Sequence, residues 1–148
     1  MTLRAVMTSP PILVSPKATI QQAAHLMAES GCGFLPIVEH GKAVGVVTGR
    51  DLATRVAALG LSFEGIPVSA VMSSPAIQLN ADLDVDTAGL LMLERDIHRL
   101  IVTEQNGVAI GVVGLSDLAG YIADKDIDKA LRQHADGASP GPSPQFVF

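Results

Sequence analysis

Three short constellations hold the residue types that could do chemistry. Thr48 stands three residues before Asp51 in Gly45-Val46-Val47-Thr48-Gly49-Arg50-Asp51-Leu52, and Ser116-Asp117 sits in the related run Gly111-Val112-Val113-Gly114-Leu115-Ser116-Asp117-Leu118. A carboxylate offers two acceptor oxygens, enough for the two hydroxyls of a ribose. The same carboxylate at the start of a helix caps free N–H groups. Both readings stand for Asp51 and for Asp117. His98-Arg99 supplies cations, a planar guanidinium fork beside an imidazole, which suits a phosphate or makes an exposed solvated pair. A helix opening after Thr48 would add N–H donors for an anion.

Other chemistries find no footing. The sequence has no Walker pattern, no nucleophile elbow and no pair of working carboxylates. His25, His40, His134 and Cys32 lack metal-ligand spacing. Asp82, Asp84 and Asp86 suggest a calcium loop, but its Gly and closing Glu are missing at the required spacing. The chain therefore reads as a non-enzyme with no metal and no required cofactor.

The elements that must position these residues come from an internal repeat. Val6-Met7-Thr8-Ser9-Pro10 returns as Val71-Met72-Ser73-Ser74-Pro75, an offset of 65 residues (7 to 72), and the two Asp-Leu runs are offset by 66 (51 to 117). Each unit opens with Met-x-x-Pro and an extended run, Ile12-Leu13-Val14 or Ile77-Gln78-Leu79. A helix follows. In the first unit Thr19-Ile20-Gln21-Gln22 is a capping box, with Ile20, Ala23, Ala24 and Met27 on one face. Val85, Ala88, Leu91 and Met92 take those roles in the second. Strands follow at Phe34–Val38 and Ala43–Thr48, turning at Gly41, and at Leu100–Val102 and Ala109–Val113, turning at Asn106-Gly107. Asp51 and Asp117 start the closing helices, the first with an apolar face of Leu52, Val56 and Leu59. Gly45 and Gly111 read as packing or turn glycines, Met7 and Met72 as core.

The fold class is therefore α+β: two β-α-β-β-α units whose sheets bury each other as a pseudo-twofold module. The expected boundaries are 1–59 and 71–125 for the repeats, 60–70 for a linker, and 126–148 for an extension with a flexible tail from about 136.

Of the 148 residues 48% are hydrophobic and 3% aromatic, so aliphatic side chains must fill the core. The net charge of −5 opposes non-specific nucleic-acid binding. No apolar run approaches the ~20 residues of a membrane span, and no signal peptide is recognisable. The single cysteine rules out an intrachain disulfide and suggests the cytoplasm.

The repeated Val-Met-x-x-Pro opening, the Gly-Val-Val-x-x-x-Asp-Leu close and their offset together resemble a pair of cystathionine-β-synthase (CBS) domains over about residues 3–125. The resemblance implies two pseudo-symmetric clefts, frequent homodimers, and a cytoplasmic sensor of an adenine nucleotide that acts on a separate effector. It puts Asp51 on a ribose with Thr48 beside it, and backbone near Ala76 and Ile77 against the base. His98-Arg99 is similar to the pair that contacts phosphate in the gamma subunit of AMP-activated protein kinase. The expected main site is thus Thr48, Asp51, Ala76, Ile77, His98 and Arg99. The weaker one is Pro11, Ile12, Gly114, Ser116 and Asp117, where Gly114 replaces the Thr and Gly33-Phe34 replaces His-Arg. AMP is the favoured ligand, ADP and ATP the alternatives, and the choice among these, NAD-type ligands and S-adenosylmethionine stays open. The competing reading is a structural homodimerisation module with vestigial clefts.

Overall fold

A computed structural model describes residues 1–122. The expectations for 123–148, including the flexible tail and His134, lie outside the described residues. Helix α1 (Leu3–Val6) is followed by α2 (Ile20–Ser30), β1 (Phe34–Glu39), β2 (Lys42–Thr48) and α3 (Gly49–Asp51). Helix α3 runs on as a π-helical turn over Leu52–Ala57. The second unit holds β3 (Gln78–Asn80), α4 (Val85–Glu94), β4 (Arg99–Thr103), β5 (Ala109–Gly114) and α5 (Leu115–Leu118).

The two hairpins superimpose in register. Phe34 pairs with Thr48 in β1–β2, and Arg99 pairs with Gly114 in β4–β5. Each hairpin carries a register shift at the same place, between Ile37 and Val38 and between Val102 and Thr103. Phe34 and Arg99 are thus structural equivalents, as are Gly33 and His98. The carbonyls of Gly33 and His98 accept from Gly49 N–H (3.0 Å) and Leu115 N–H (2.8 Å) in turn.

The expected opening strands differ. Residues 78–80 pair in parallel with β4, but Ile12-Leu13-Val14 forms only one bridge, Val14 to Ile37. Proline explains the difference. Ile101 N–H donates to the Ile77 carbonyl (3.1 Å), whereas the equivalent residue in β1 is Pro36, which has no N–H to extend the ladder toward Ile12.

The cap of α2 is built as the sequence predicts. Thr19 Oγ1 accepts from Gln22 N–H (3.1 Å), and Gln22 Oε1 accepts from Thr19 N–H (2.9 Å). Ile20 and Ala23 are fully buried, as are Ala88 and Met92 on α4. The closing helix departs from expectation: Val56 is buried but Leu59 is 70% exposed. The π-helical stretch ends at Ala57, so Leu59 lies in the turn beyond it and no longer faces the core.

The openings of the repeats cross over. Leu3 is fully buried among Ala81, Val85, Ala88 and Met92, and its N–H donates to the Leu83 carbonyl (3.0 Å). Reciprocally Val68, in the segment expected as a linker, is fully buried among Val14, Ala23, Leu35 and Val47. Val46 pairs with Ser73, and Thr8 with Val112. Between the sheets Phe34 and Val46 pack against Ala76, Ile101 and Ala109. Neither unit has a complete core without the other's opening.

Candidate functional site

Crossing brings each opening loop to the other unit's closing Asp. Asp51 is buried, and both of its oxygens are engaged. Oδ2 accepts from Thr48 N–H (3.0 Å) and Thr48 Oγ1 (3.1 Å), while Thr48 Oγ1 accepts from Asp51 N–H (3.1 Å). Oδ1 accepts from Ser73 Oγ (3.0 Å), and Arg55 Nε lies 3.7 Å away. The side chain is a helix cap tied to the other repeat's opening.

Asp117 is exposed. One oxygen, Oδ2, accepts from Gly114 N–H (2.8 Å). Gly114 has no hydroxyl to fill the role of Thr48. No donor in the described residues reaches Asp117 Oδ1. The missing hydroxyl, read from the sequence as a weakness of this site, leaves the carboxylate with one fewer donor than Asp51 has from Thr48.

Two cavities flank the β1–β4 seam. The first, about 380 Å³, is lined by all five residues of the expected weaker site, Pro11, Ile12, Gly114, Ser116 and Asp117. Thr8, Cys32, Phe34 and Arg99 also face it. The second, about 530 Å³, is lined by Gly33, Phe34, Thr48, Gly49, Arg50, His98 and Arg99. It gathers Thr48, His98 and Arg99 of the expected main site and not the rest. Asp51 lies buried on its capping bonds, Ala76 is buried between the sheets, and Ile77 is exposed but does not line the cavity. Of the two carboxylates, Asp51 is buried on its capping bonds and Asp117 is exposed at the wall of the first cavity.

The cations sit at the seam. Arg99 faces both cavities and, among the described residues, forms no ion pair or side-chain hydrogen bond. Arg50 likewise forms no ion pair among the described residues. His98 Nε2 lies 3.2 Å from Asp96 Oδ1. Sequence reasoning missed Arg50, although it sits inside the Thr-x-x-Asp run. Only the pairing of β1 with β2 brings it to the seam. A further cavity of about 590 Å³ along α2, beside Leu13, Gln22 and His25, has no Asp, Arg or Lys in its lining.

No group of three or more His, Cys, Asp or Glu among the described residues is placed to share a metal ion. No helix among them is long and apolar enough to cross a membrane. Gly45 and Gly111 are packing positions. A Cβ on Gly45 would lie 2.7 Å from Met72 Sδ and 2.8 Å from the Ser73 carbonyl, and one on Gly111 would lie 2.5 Å from Met7 Sδ.

Comparison with known proteins agrees with this architecture. The profile of the CBS domain matches twice, over residues 3–58 and 68–124. The CBS domain-containing protein YhcV of Bacillus subtilis is 39% identical over 117 residues, 79% of this chain and 82% of its own. A conserved CBS domain protein of unknown function from Thermoplasma acidophilum has the same fold (TM-score 0.76, 25% identity, 92% of this chain and 77% of that one). So does the CBS domain pair of protein MJ0100, solved in complex with 5′-methylthioadenosine and S-adenosyl-L-methionine (TM-score 0.71, 25% identity, 81% and 94%). The chain belongs to the CBS domain family and carries two CBS domains in tandem.

Proposed function

We propose that the chain is a non-catalytic sensor that binds an adenine nucleotide, AMP before ADP or ATP, in the cavity between Asp117 and Arg99. One observation carries the reading. An accessible carboxylate, an unpaired guanidinium and the Pro11-Ile12 loop of the other repeat line one cavity of about 380 Å³. The carboxylate suits the ribose diol and the guanidinium the phosphate. The loop offers backbone and apolar surface to the base. The adenosyl ligands of the related MJ0100 pair support the ligand class. The lining offers no paired base and nucleophile. Cys32 Sγ, the strongest nucleophile there, donates to the Phe34 carbonyl (3.2 Å).

A ligand held by both repeats acts by preferring one of their packings. The same reading makes the module a cytoplasmic homodimer with a separate effector, and sedimentation with and without AMP tests the dimer. The deciding experiment is the thermal midpoint of the purified chain with AMP, ADP, ATP, NAD or S-adenosylmethionine. A ligand at ~100 times its Kd adds about 2.7 kcal/mol, several degrees for a chain of this size. A selective shift supports the sensor and names its ligand. No shift with any of them favours the structural dimerisation module.

A further inference from the structure

The opening of the first repeat leaves a strand edge unpaired. Val14 turns its N–H and its carbonyl toward β1, where they meet the Pro36 carbonyl (3.0 Å) and the Val38 N–H (2.9 Å). Successive residues of an extended chain send these groups to opposite edges, so Leu13 and Ser15 face away from β1. Among the described residues, the N–H groups of Leu13 and Ser15 and the carbonyls of Pro11 and Leu13 take no hydrogen bond. Leu13 and Ser15 line the groove of about 590 Å³ along α2, together with Ala18 and with Gln21, His25 and Leu26 of the helix. The helix N-caps Thr19 and Asp84 are 65 residues apart (19 to 84), so the counterpart of Ala18 in the second repeat is Leu83, which packs against the core. The smaller side chain leaves room in the first repeat. A groove between an open strand edge and a helix suits an extended segment, whose backbone bonds the edge while alternate side chains fill the groove.

We propose that Gln145-Phe146-Val147-Phe148 of the same chain adds to this edge as a strand. Residues 137–148 carry no charged side chain, and the groove lining holds no Asp, Glu, Arg or Lys. Two of the four phenylalanines of the chain stand at 146 and 148, a spacing that puts both rings on one side of an extended strand, toward Leu13 and Leu26. Pro140, Pro142 and Pro144 cannot donate to a ladder, whereas every residue from 145 to 148 can. The connection is long enough. Residues 123–144, 22 in all (144 − 122), span up to about 70 Å when extended. That reaches any face of a domain whose radius of gyration is about 14 Å. The added strand covers an edge that would otherwise be open to pairing with other chains. The proposal does not depend on the nucleotide reading.

Amide hydrogen exchange of the full chain, followed by NMR, tests it. With the edge uncovered, the N–H groups of Leu13 and Ser15 exchange at close to the rate of an unstructured peptide. With the strand added, they are expected to slow by about tenfold or more. Phe146→Asp combined with Phe148→Asp should return both to fast exchange, while the N–H groups of Val14 and Val38, bonded within the fold, stay slow. Ala18→Leu, which enlarges the side chain as in the second repeat, should do the same from the groove side. The variants act on opposite sides of the contact, so if one fails to fold the other remains decisive. Fast exchange of Leu13 and Ser15 in the wild type overturns the proposal. Slow exchange that persists in the double Phe variant also overturns it, because another occupant then covers the edge. Slow exchange that fades on dilution assigns the segment to a second copy and excludes docking within one chain.

Discussion

The hydroxyl of Ser73 donates to Oδ1 of Asp51 over 3.0 Å, so the opening of the second repeat completes the hydrogen bonding of the carboxylate that closes the first. At the equivalent place in the second repeat, Thr8 faces the cavity of Asp117 and makes no bond to that carboxylate. Both oxygens of Asp51 have donors, and one oxygen of Asp117 has a donor among the described residues.

Stability should report the bonds of Asp51. Ser73→Ala removes one acceptor's partner and should cost about 1 kcal/mol in urea unfolding. Asp51→Ala strands Thr48 N–H and the Ser73 hydroxyl together and should cost about 2–3 kcal/mol. Equal stability of Asp51→Ala and wild type would show that the carboxylate is not the cap described.

Binding should report Asp117. Asp117→Ala should weaken AMP and adenosine alike, by about tenfold, because both carry the ribose. Calorimetric titration of both ligands checks it. A greater loss of binding in Asp51→Ala, at matched fraction folded, would return the site to the first repeat.

Arg99→Ala should separate the two ligands. AMP should lose about tenfold or more in affinity, the worth of a hydrogen bond to a charged group, while adenosine keeps its affinity. Parallel losses for both would mean that Arg99 shapes the cavity instead of meeting phosphate.

Close packing at the crossover predicts a steric effect. Gly45→Ala puts a methyl group against the Ser73 carbonyl, which cannot move without breaking its pairing with Val46. The expected cost is about 1–3 kcal/mol, read as a lower urea midpoint.

Acid should loosen the other crossover. Arg4 bonds both Glu104 oxygens (2.7 and 2.9 Å) and holds that carboxyl below its ordinary value of 4.5. A carboxyl lowered by folding stabilises the fold above the unfolded-state value and loses that contribution as pH falls through the folded value. The urea midpoint should therefore drop below about pH 4.5, more steeply in wild type than in Arg4→Ala. Identical pH profiles would exclude the contribution.

The duplication, the hairpins, the α2 cap and the two Asp-bearing turns are legible in the sequence because each is local. A capping box needs four residues, a strand pair needs alternation and a turn, and a repeat needs only itself. The resemblance to CBS pairs rests on the same short-range motifs. The tertiary structure decided what depends on neighbours far along the chain. Leu3 and Val68 enter the opposite unit's core, and Pro36 ends a ladder that Ile101 continues. Most consequentially, the resemblance makes the Thr-x-x-Asp motif the better ligand site. The fold spends that carboxylate on Thr48 and on Ser73, 22 residues away. The same fold leaves the plainer Gly114-x-x-Asp117 exposed beside Arg99. A carboxylate's chemistry is set by the donors that reach it, and spacing within one motif cannot say which donors the rest of the chain delivers.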